Sequence, residues 1–169
     1  MGFFDKLFGG KAKDENTSKF TNQSKTILTP LQGKVLAQAD IPDETFAQGI
    51  LGPGCGIEPT GDTVYAPFDG TVTQIATTLH AVGMTSSEDT ELLIHVGMDT
   101  VDMKGQGFTA LVKEGQKVTA GTPLLKVDLD AIRAAGHPTA TAIIVTDGAD
   151  DVKMLAEGDV VPGTPLFKV

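Results

Sequence analysis

Short hydrophobic runs alternate with polar positions along most of the chain beyond Ile27, and turns containing glycine or proline separate them. The segment ELLIHVGMD, residues 91–99, shows the pattern clearly. Its hydrophobic residues at every second position are Leu92, Ile94, Val96 and Met98. Side chains along a β-strand point to opposite faces in turn, so these four predict a core-facing side. His95 and Leu93 then share the opposite face.

A second histidine, His80, lies in the segment TVTQIATTLHAV, residues 71–82. If this segment is one strand, a period of two places Ile75, Leu79 and Ala81 towards the core. The residues that it places on the face of His80 are Val72, Ala76, Thr78 and Val82. If the two strands are neighbours, His80, Thr78 and His95 converge. The third histidine, His137, precedes Pro138 and is interpreted as a turn residue without a chemical role.

Two sequence patterns recur along the chain and predict its fold class. TPLQGKV at 29–35 resembles APFDGTV at 66–72, and EGQKVTAGTPLLKV at 114–127 resembles EGDVVPGTPLFKV at 157–169. Recurrence in matching order indicates a duplicated strand–turn–strand unit. We therefore predict an all-β fold, an antiparallel β-sandwich or flattened barrel with internal duplication. Beyond Ile27, helical pattern is limited to a short helix at 128–136 and a further turn at 148–158.

The first 26 residues differ from the rest. Residues 1–10 carry four hydrophobic side chains on one helical face: Phe3, Phe4, Leu7 and Phe8. This short amphipathic segment is interpreted either as a weak membrane contact through residues 1–8 or as a frayed terminus. Residues 11–26 are polar and nearly free of apolar residues, which predicts a flexible linker and a folded domain at 27–169.

Charge and cysteine content exclude several classes of function. The net charge is −9. Residues 1–25 hold five lysines against three acidic residues, so the remainder carries a net charge of −11. This negative charge disfavours binding to nucleic acid and suits a basic protein partner. Alternatively, it serves solubility alone. Cys55 is the only cysteine, which excludes an internal disulfide and a cysteine-based zinc cluster, and it is interpreted as structural. No run is long enough to span a bilayer and no secretory signal is recognisable, so the default expectation is cytoplasmic.

The histidine pair has two chemical interpretations beside a purely structural one. With Asp99, His80 and His95 could hold a zinc ion for hydrolysis. Alternatively, a neutral imidazole nitrogen accepts a phosphoryl group while the second imidazole and a hydroxyl position it. A histidine on an exposed apolar face favours transfer to another protein, whereas a hydrolase favours a cleft.

Three motifs in one order support the second interpretation. LLIHVGMDTV at 92–101, KGQGF at 104–108 and TTLHAVGMTS at 77–86 resemble the glucose-type IIA component of the bacterial phosphoenolpyruvate-dependent sugar phosphotransferase system. The resemblance covers 27–169 and implies one EIIA type-1 domain that acts as a phosphoryl carrier. It implies that His95 is phosphorylated on Nε2, that His80 supports onward transfer, and that Thr78 orients His80.

The resemblance also implies partners. The histidine-containing phosphocarrier protein is the expected donor, and a cysteine of the IIB domain of a sugar permease is the expected acceptor. The residues expected to bind partners are Asp43, Phe46, Leu51, Leu93, Val96 and Asp99, although alternation places Val96 in the core. No cofactor is required. Regulatory proteins are further expected partners of the unphosphorylated form, with zinc held between His80, His95 and a partner carboxylate.

The chain departs from the family pattern at a few positions. Asp89 stands where glycine is usual, and Ala76, Val82 and Leu93 stand where some relatives carry phenylalanine. The patch stays apolar, but its preference among partners is left open. Two other β-rich classes fit less well, because a zinc peptidase needs a His-x-His pair and a lipoyl or biotin carrier needs a lysine at a hairpin tip.

Overall fold

The computed structural model describes residues 18–169, so the predicted amphipathic segment 1–10 and the first part of the predicted linker lie outside the described residues. The described strands are β1 Thr26–Leu28, β2 Gly33–Leu36, β3 Gly54–Pro59, β4 Thr63–Tyr65, β5 Gly70–Ile75, β6 Ala81–Ser86, β7 Glu91–His95, β8 Phe108–Ala110, β9 Lys117–Val118, β10 Pro123–Val127, β11 Thr141–Asp147, β12 Lys153–Met154, β13 Asp159–Val160 and β14 Pro165–Lys168. The described helices are α1 Glu44–Ala47 and α2 Leu129–Ala134, with 3-10 turns at Gln38–Asp40 and Thr100–Met103.

These strands form antiparallel sheets, which confirms the predicted all-β sandwich. Eight strands form the largest sheet in the order β13-β2-β3-β11-β7-β6-β5-β9. The remaining strands form two three-stranded sheets, β1-β14-β12 and β4-β10-β8. The main core includes side chains from all three sheets, for example Ile27, Ile94 and Leu125.

The predicted duplication is visible in the strand pairing. In the first copy, β2 pairs with β13 and β1 pairs with β14. In the second copy, β5 pairs with β9 and β4 pairs with β10. The two copies therefore lie at opposite edges of the eight-stranded sheet.

The core around β7 refines the alternation prediction. Leu92 and Ile94 are buried in the main core, as predicted. Met98 is also buried, but it lies in a second cluster on the other face of the sheet, whose members are Ile41, Phe46, Met98, Ala142 and Ile144, with Leu93 packed against them. The strand ends at His95, and Gly97 has a left-handed φ of 72°, so the period of two does not continue to Met98.

Residues 71–82 do not form one strand, which corrects the face assignment made from the sequence. β5 ends at Ile75 and β6 begins at Ala81. The turn between them is closed by hydrogen bonds from the Ala76 nitrogen to the Ala81 carbonyl and from the Leu79 nitrogen to the Ala76 carbonyl. Val82 is consequently buried in the main core rather than on the histidine face.

The described end of the predicted linker is packed onto the domain. The Ser18 nitrogen donates to the Pro162 carbonyl at 2.9 Å. The Phe20 ring lies 5.5 Å from the Tyr65 ring. Glu88 accepts hydrogen bonds from the Lys25 nitrogen and the Ser24 hydroxyl. The prediction of a flexible linker is therefore wrong for residues 18–26, the last of which already belongs to β1.

The helical predictions have mixed outcomes. α2 lies within the predicted segment 128–136, and the Asp128 carboxylate caps it by accepting from the Ala131 nitrogen. The segment 148–158 forms no helix and instead contributes β12. Within residues 18–169, no helix has the length and apolar character needed to cross a membrane.

Candidate functional site

The pairing of β6 with β7 brings His80 and His95 together. Ala81 lies opposite His95 in the register, so His80 stands just before β6 at the level where β7 ends. The two imidazole rings are 4.7 Å apart between centroids and cross at 81°. The Val96 nitrogen donates to the His80 carbonyl at 2.8 Å, which ties the two backbones. The predicted convergence is thus present, although it arises from a turn and not from a shared strand face.

The hydrogen bond of His95 defines which ring nitrogen is available for chemistry. Its Nδ1 lies 2.9 Å from the Gly97 carbonyl oxygen. A carbonyl can only accept, so Nδ1 carries the proton and the neutral ring keeps its lone pair on Nε2. In its neutral form, His95 therefore presents a nucleophilic Nε2.

Thr78 fixes the second histidine. Its Oγ1 lies 2.7 Å from Nδ1 of His80. When the hydroxyl donates to Nδ1, the proton of the neutral His80 ring resides on Nε2, which can then donate to an anion. Leu79, between the two residues, has a left-handed φ of 63°, a conformation that bulky residues adopt only where the surrounding structure imposes it.

Burial keeps both rings neutral. Burial, together with a smaller effect of the neighbouring His95, lowers the pKa of His80 to about 4. Burial also lowers the pKa of His95, against the opposing effects of its hydrogen bond to Gly97 and of the Asp43 and Asp99 carboxylates. A low pKa keeps the lone pair free at neutral pH, as a nitrogen nucleophile requires.

The helix α1 forms one wall of the site. The Asp43 carboxylate caps it by accepting from the Thr45 and Phe46 nitrogens at 2.9 and 3.3 Å. The Phe46 ring lies 4.9 Å from the His95 ring and is only 6% exposed. Phe46 therefore packs beside His95, and little of its surface is left for a partner.

The other expected partner-binding residues differ in exposure. Leu51 is 41% exposed and Asp99 is exposed, whereas Asp43 and Leu93 are half-buried. Val96 is completely buried in the main core, so its assignment to partner binding is wrong. Period-two alternation had already pointed to this outcome.

Val101 is a candidate surface residue that the sequence interpretation missed. It is 51% exposed and lies two residues after Asp99, in the 3-10 turn that follows the site. A hydrophobic residue between the polar residues Thr100 and Asp102 is the signal that could have identified it. Ile50 and Leu51, which follow α1, are also exposed apolar residues, and we call these three residues the apolar rim.

Two further predictions concern a bound metal ion and Cys55. Within residues 18–169, no three His, Cys, Asp or Glu side chains are grouped to hold a metal, so His80 and His95 supply two nitrogens without a third ligand. Cys55 is buried, and burial raises the pKa of its thiol to about 12, which agrees with a structural residue.

Comparison with known proteins places these features in context. The family profile described as phosphoenolpyruvate-dependent sugar phosphotransferase system, EIIA 1, matches residues 25–151. A glucose-specific EIIA component of Halalkalibacterium halodurans is 44% identical over 146 residues, which cover 85% of this chain and 83% of that protein.

Similarity extends to larger proteins and to a solved structure. A β-glucoside-specific EIIBCA component of Bacillus subtilis is 46% identical over 121 residues, covering 72% of this chain but only 20% of that protein. The structure of a glucose permease IIA from Mycoplasma capricolum matches with a TM-score of 0.81 and 30% identity, covering 89% of this chain and 98% of the other.

Proposed function

This chain belongs to the EIIA 1 family of the phosphoenolpyruvate-dependent sugar phosphotransferase system and is a phosphoryl carrier in sugar uptake, and from this premise we propose that Nε2 of His95 carries the phosphoryl group. The observation that supports this assignment is the hydrogen bond from Nδ1 of His95 to the Gly97 carbonyl. Because Nδ1 donates its proton to this carbonyl, the lone pair of the neutral ring lies on Nε2.

The proposed step is an in-line transfer between two histidines. The Nε2 lone pair of His95 forms a bond to phosphorus while the bond from phosphorus to the donor's ring nitrogen breaks, and that nitrogen keeps the electron pair. The proton on Nδ1 stays in place, and the Gly97 carbonyl stabilises the positive charge that develops on the ring. Such a transfer asks the protein mainly for positioning and electrostatic stabilisation.

His80 and Thr78 supply the stabilisation in this proposal. The two rings lie close enough for Nε2–H of His80 to donate to a phosphoryl oxygen on His95. Thr78 holds His80 in the tautomer that can donate. In this proposal His80 matters mainly for onward transfer, where it stabilises the phosphoryl group as that group leaves His95.

The site and the relatives support two proposed partners. The donor that we propose is the histidine-containing phosphocarrier protein, and the acceptor is a IIB-domain cysteine of a sugar permease. Relatives such as the Bacillus subtilis EIIBCA component join A, B and C parts in one chain, which supports the acceptor. The net charge of −9 and the apolar rim suit a donor with a basic and apolar surface.

Zinc stays a prediction in this scheme. Zinc in proteins usually takes four ligands, and the described part of the chain offers only the two imidazoles at this point. A bound ion would therefore need a carboxylate from another protein, and it would cover the nitrogen that accepts phosphate. The phosphoryl transfer itself requires no metal from this chain.

Labelling tests the assignment directly. The protein is incubated with labelled phosphoenolpyruvate, the first enzyme of the system and the phosphocarrier. We expect one acid-labile phosphate on the wild-type chain and on His137→Gln, and none on His95→Gln. We expect His80→Gln to accept phosphate but to pass it to a IIB domain slowly. Label that persists in His95→Gln would overturn the site assignment.

A further inference from the structure

We propose that Thr100 is a positioning residue for phosphoryl transfer, acting through the backbone that orients His95. The inference rests on the proposed function, because it concerns the choice between the two ring nitrogens of His95. Thr100 touches neither ring in a hydrogen bond. It acts on the five-residue segment from His95 to Asp99 that ends in the 3-10 turn Thr100–Met103.

The Thr100 side chain is completely buried and makes a single, short hydrogen bond. Its hydroxyl donates to the Val96 carbonyl at 2.6 Å, across the bend that follows β7. A buried hydroxyl bonded to a buried carbonyl fixes both groups, since neither has water as an alternative partner. Thr100 therefore determines the direction in which the peptide after Val96 points.

The neighbouring peptide is the one that binds His95. Gly97 has a φ of 72°, and a Cβ added there would lie 2.5 Å from the Thr100 methyl carbon. The Thr100 side chain thus packs directly against the Gly97 backbone. On the far side, the Met98 nitrogen donates to the Pro138 carbonyl at 3.1 Å. With Val96 and Met98 both held, the Gly97 carbonyl is directed at Nδ1 of His95.

The same bend also holds His80. Val96 donates its nitrogen to the His80 carbonyl and accepts the Thr100 hydroxyl at its own carbonyl. Removal of the hydroxyl frees the Val96 and Gly97 peptides to turn, so His95 loses the acceptor that commits its proton to Nδ1. The neutral ring then populates both tautomers, and both nitrogens become able to take phosphate.

Paired variants test this role. Thr100→Val removes the hydroxyl with little change in volume, Thr100→Ser keeps the hydroxyl, and Thr29→Val removes another fully buried threonine hydroxyl that bonds a backbone carbonyl elsewhere. Nitrogen-15 NMR of the ring at neutral pH should show Nδ1–H on His95 in the wild type, Thr100→Ser and Thr29→Val. Thr100→Val should show a mixture of the two tautomers.

A second measurement uses the position of the phosphate. Each protein is phosphorylated with phosphoramidate, a small donor that bypasses partner docking, and phosphorus NMR distinguishes the Nδ1 and Nε2 products. We expect Nε2 product alone, except in Thr100→Val, which should give both. The rate with the phosphocarrier should fall about fivefold to tenfold in Thr100→Val at unchanged KM, which corresponds to the loss of one buried hydrogen bond.

The outcomes separate this inference from the proposed function. A wild-type chain that takes no phosphate on His95 overturns the proposed function, while the tautomer measurement still tests Thr100. Wild-type tautomer and wild-type product in a folded Thr100→Val overturn the positioning role. If Thr100→Val does not fold, Thr100→Ala removes the same hydroxyl without forcing a methyl group against the Val96 carbonyl, and the same two measurements decide.

Discussion

His80 should stay neutral well below the pH at which an exposed histidine protonates, and this makes the folded protein sensitive to acid. Burial and the adjacent His95 lower the pKa of His80 from its ordinary 6.5 to about 4. In the unfolded chain the pKa returns to its ordinary value. Between these two values the unfolded state binds more protons than the folded state, so the free energy of unfolding falls as the pH falls.

The magnitude follows from the separation of the two pKa values. The contribution of His80 is fully present above pH 6.5 and is lost progressively as the pH falls towards 4. Each tenfold separation in acidity corresponds to about 1.4 kcal/mol, which gives an upper limit of about 3 kcal/mol. Because the site lies at the surface and water screens part of the effect, we expect a loss of about 1–2 kcal/mol between pH 7 and pH 4.5.

Urea denaturation at several pH values, monitored by circular dichroism, measures this loss. The carboxylates and His95 also contribute to the slope, so the informative quantity is the difference between the wild type and His80→Gln. We expect His80→Gln to lose about 1–2 kcal/mol less than the wild type over this range. His137→Gln serves as the matched control and should follow the wild type.

NMR titration of the His80 ring provides the independent check. Its midpoint should lie near pH 4. A midpoint at or above 6, or equal pH slopes in the wild type and His80→Gln, would refute the reasoning that burial keeps this ring neutral.

Two further substitutions probe the surroundings of the histidines. Phe46→Ala removes a ring that is 6% exposed and packs beside His95, so we expect the free energy of unfolding to fall by about 3 kcal/mol in urea denaturation, and a loss below 1 kcal/mol would contradict this packing. Val101→Asp places a charge on the apolar rim, which should raise KM for the phosphocarrier about tenfold without changing Tm. Leu111→Asp is the control at similar exposure, and an equal rise in KM for both variants would exclude a specific docking role for Val101.

Alternation was reliable where a single strand has one buried face. Leu92 and Ile94 are buried and His95 is turned to the other side because β7 is a regular strand between two partners. The same rule was wrong for residues 71–82, since the turn from Ala76 to His80 contains no glycine or proline to mark it. The left-handed φ of Leu79 makes this turn possible, and a backbone strain of this kind leaves no sign in the hydrophobic pattern.

Contacts made by backbone groups were equally hard to predict. Residues 18–25 have polar side chains apart from Phe20, and several of their contacts to the domain use main-chain atoms of Ser18 and Lys25. Likewise, the role of Gly97 depends on the direction of its carbonyl, which follows from Thr100 and Pro138 and not from the residue types alone. Composition describes side chains, whereas these features depend on where the peptide groups point.

The pairing of β1 with β14 brings residue 25 and the last residue into direct contact, because the Val169 nitrogen donates to the Lys25 carbonyl at 2.9 Å. The start of β1 and the end of β14 therefore lie side by side. A unit of this kind can be appended to a longer polypeptide, inserted into one, or circularly permuted through a short connection without displacing any strand. The geometry thus explains in physical terms how a similar segment can make up one fifth of a protein such as the Bacillus subtilis EIIBCA component.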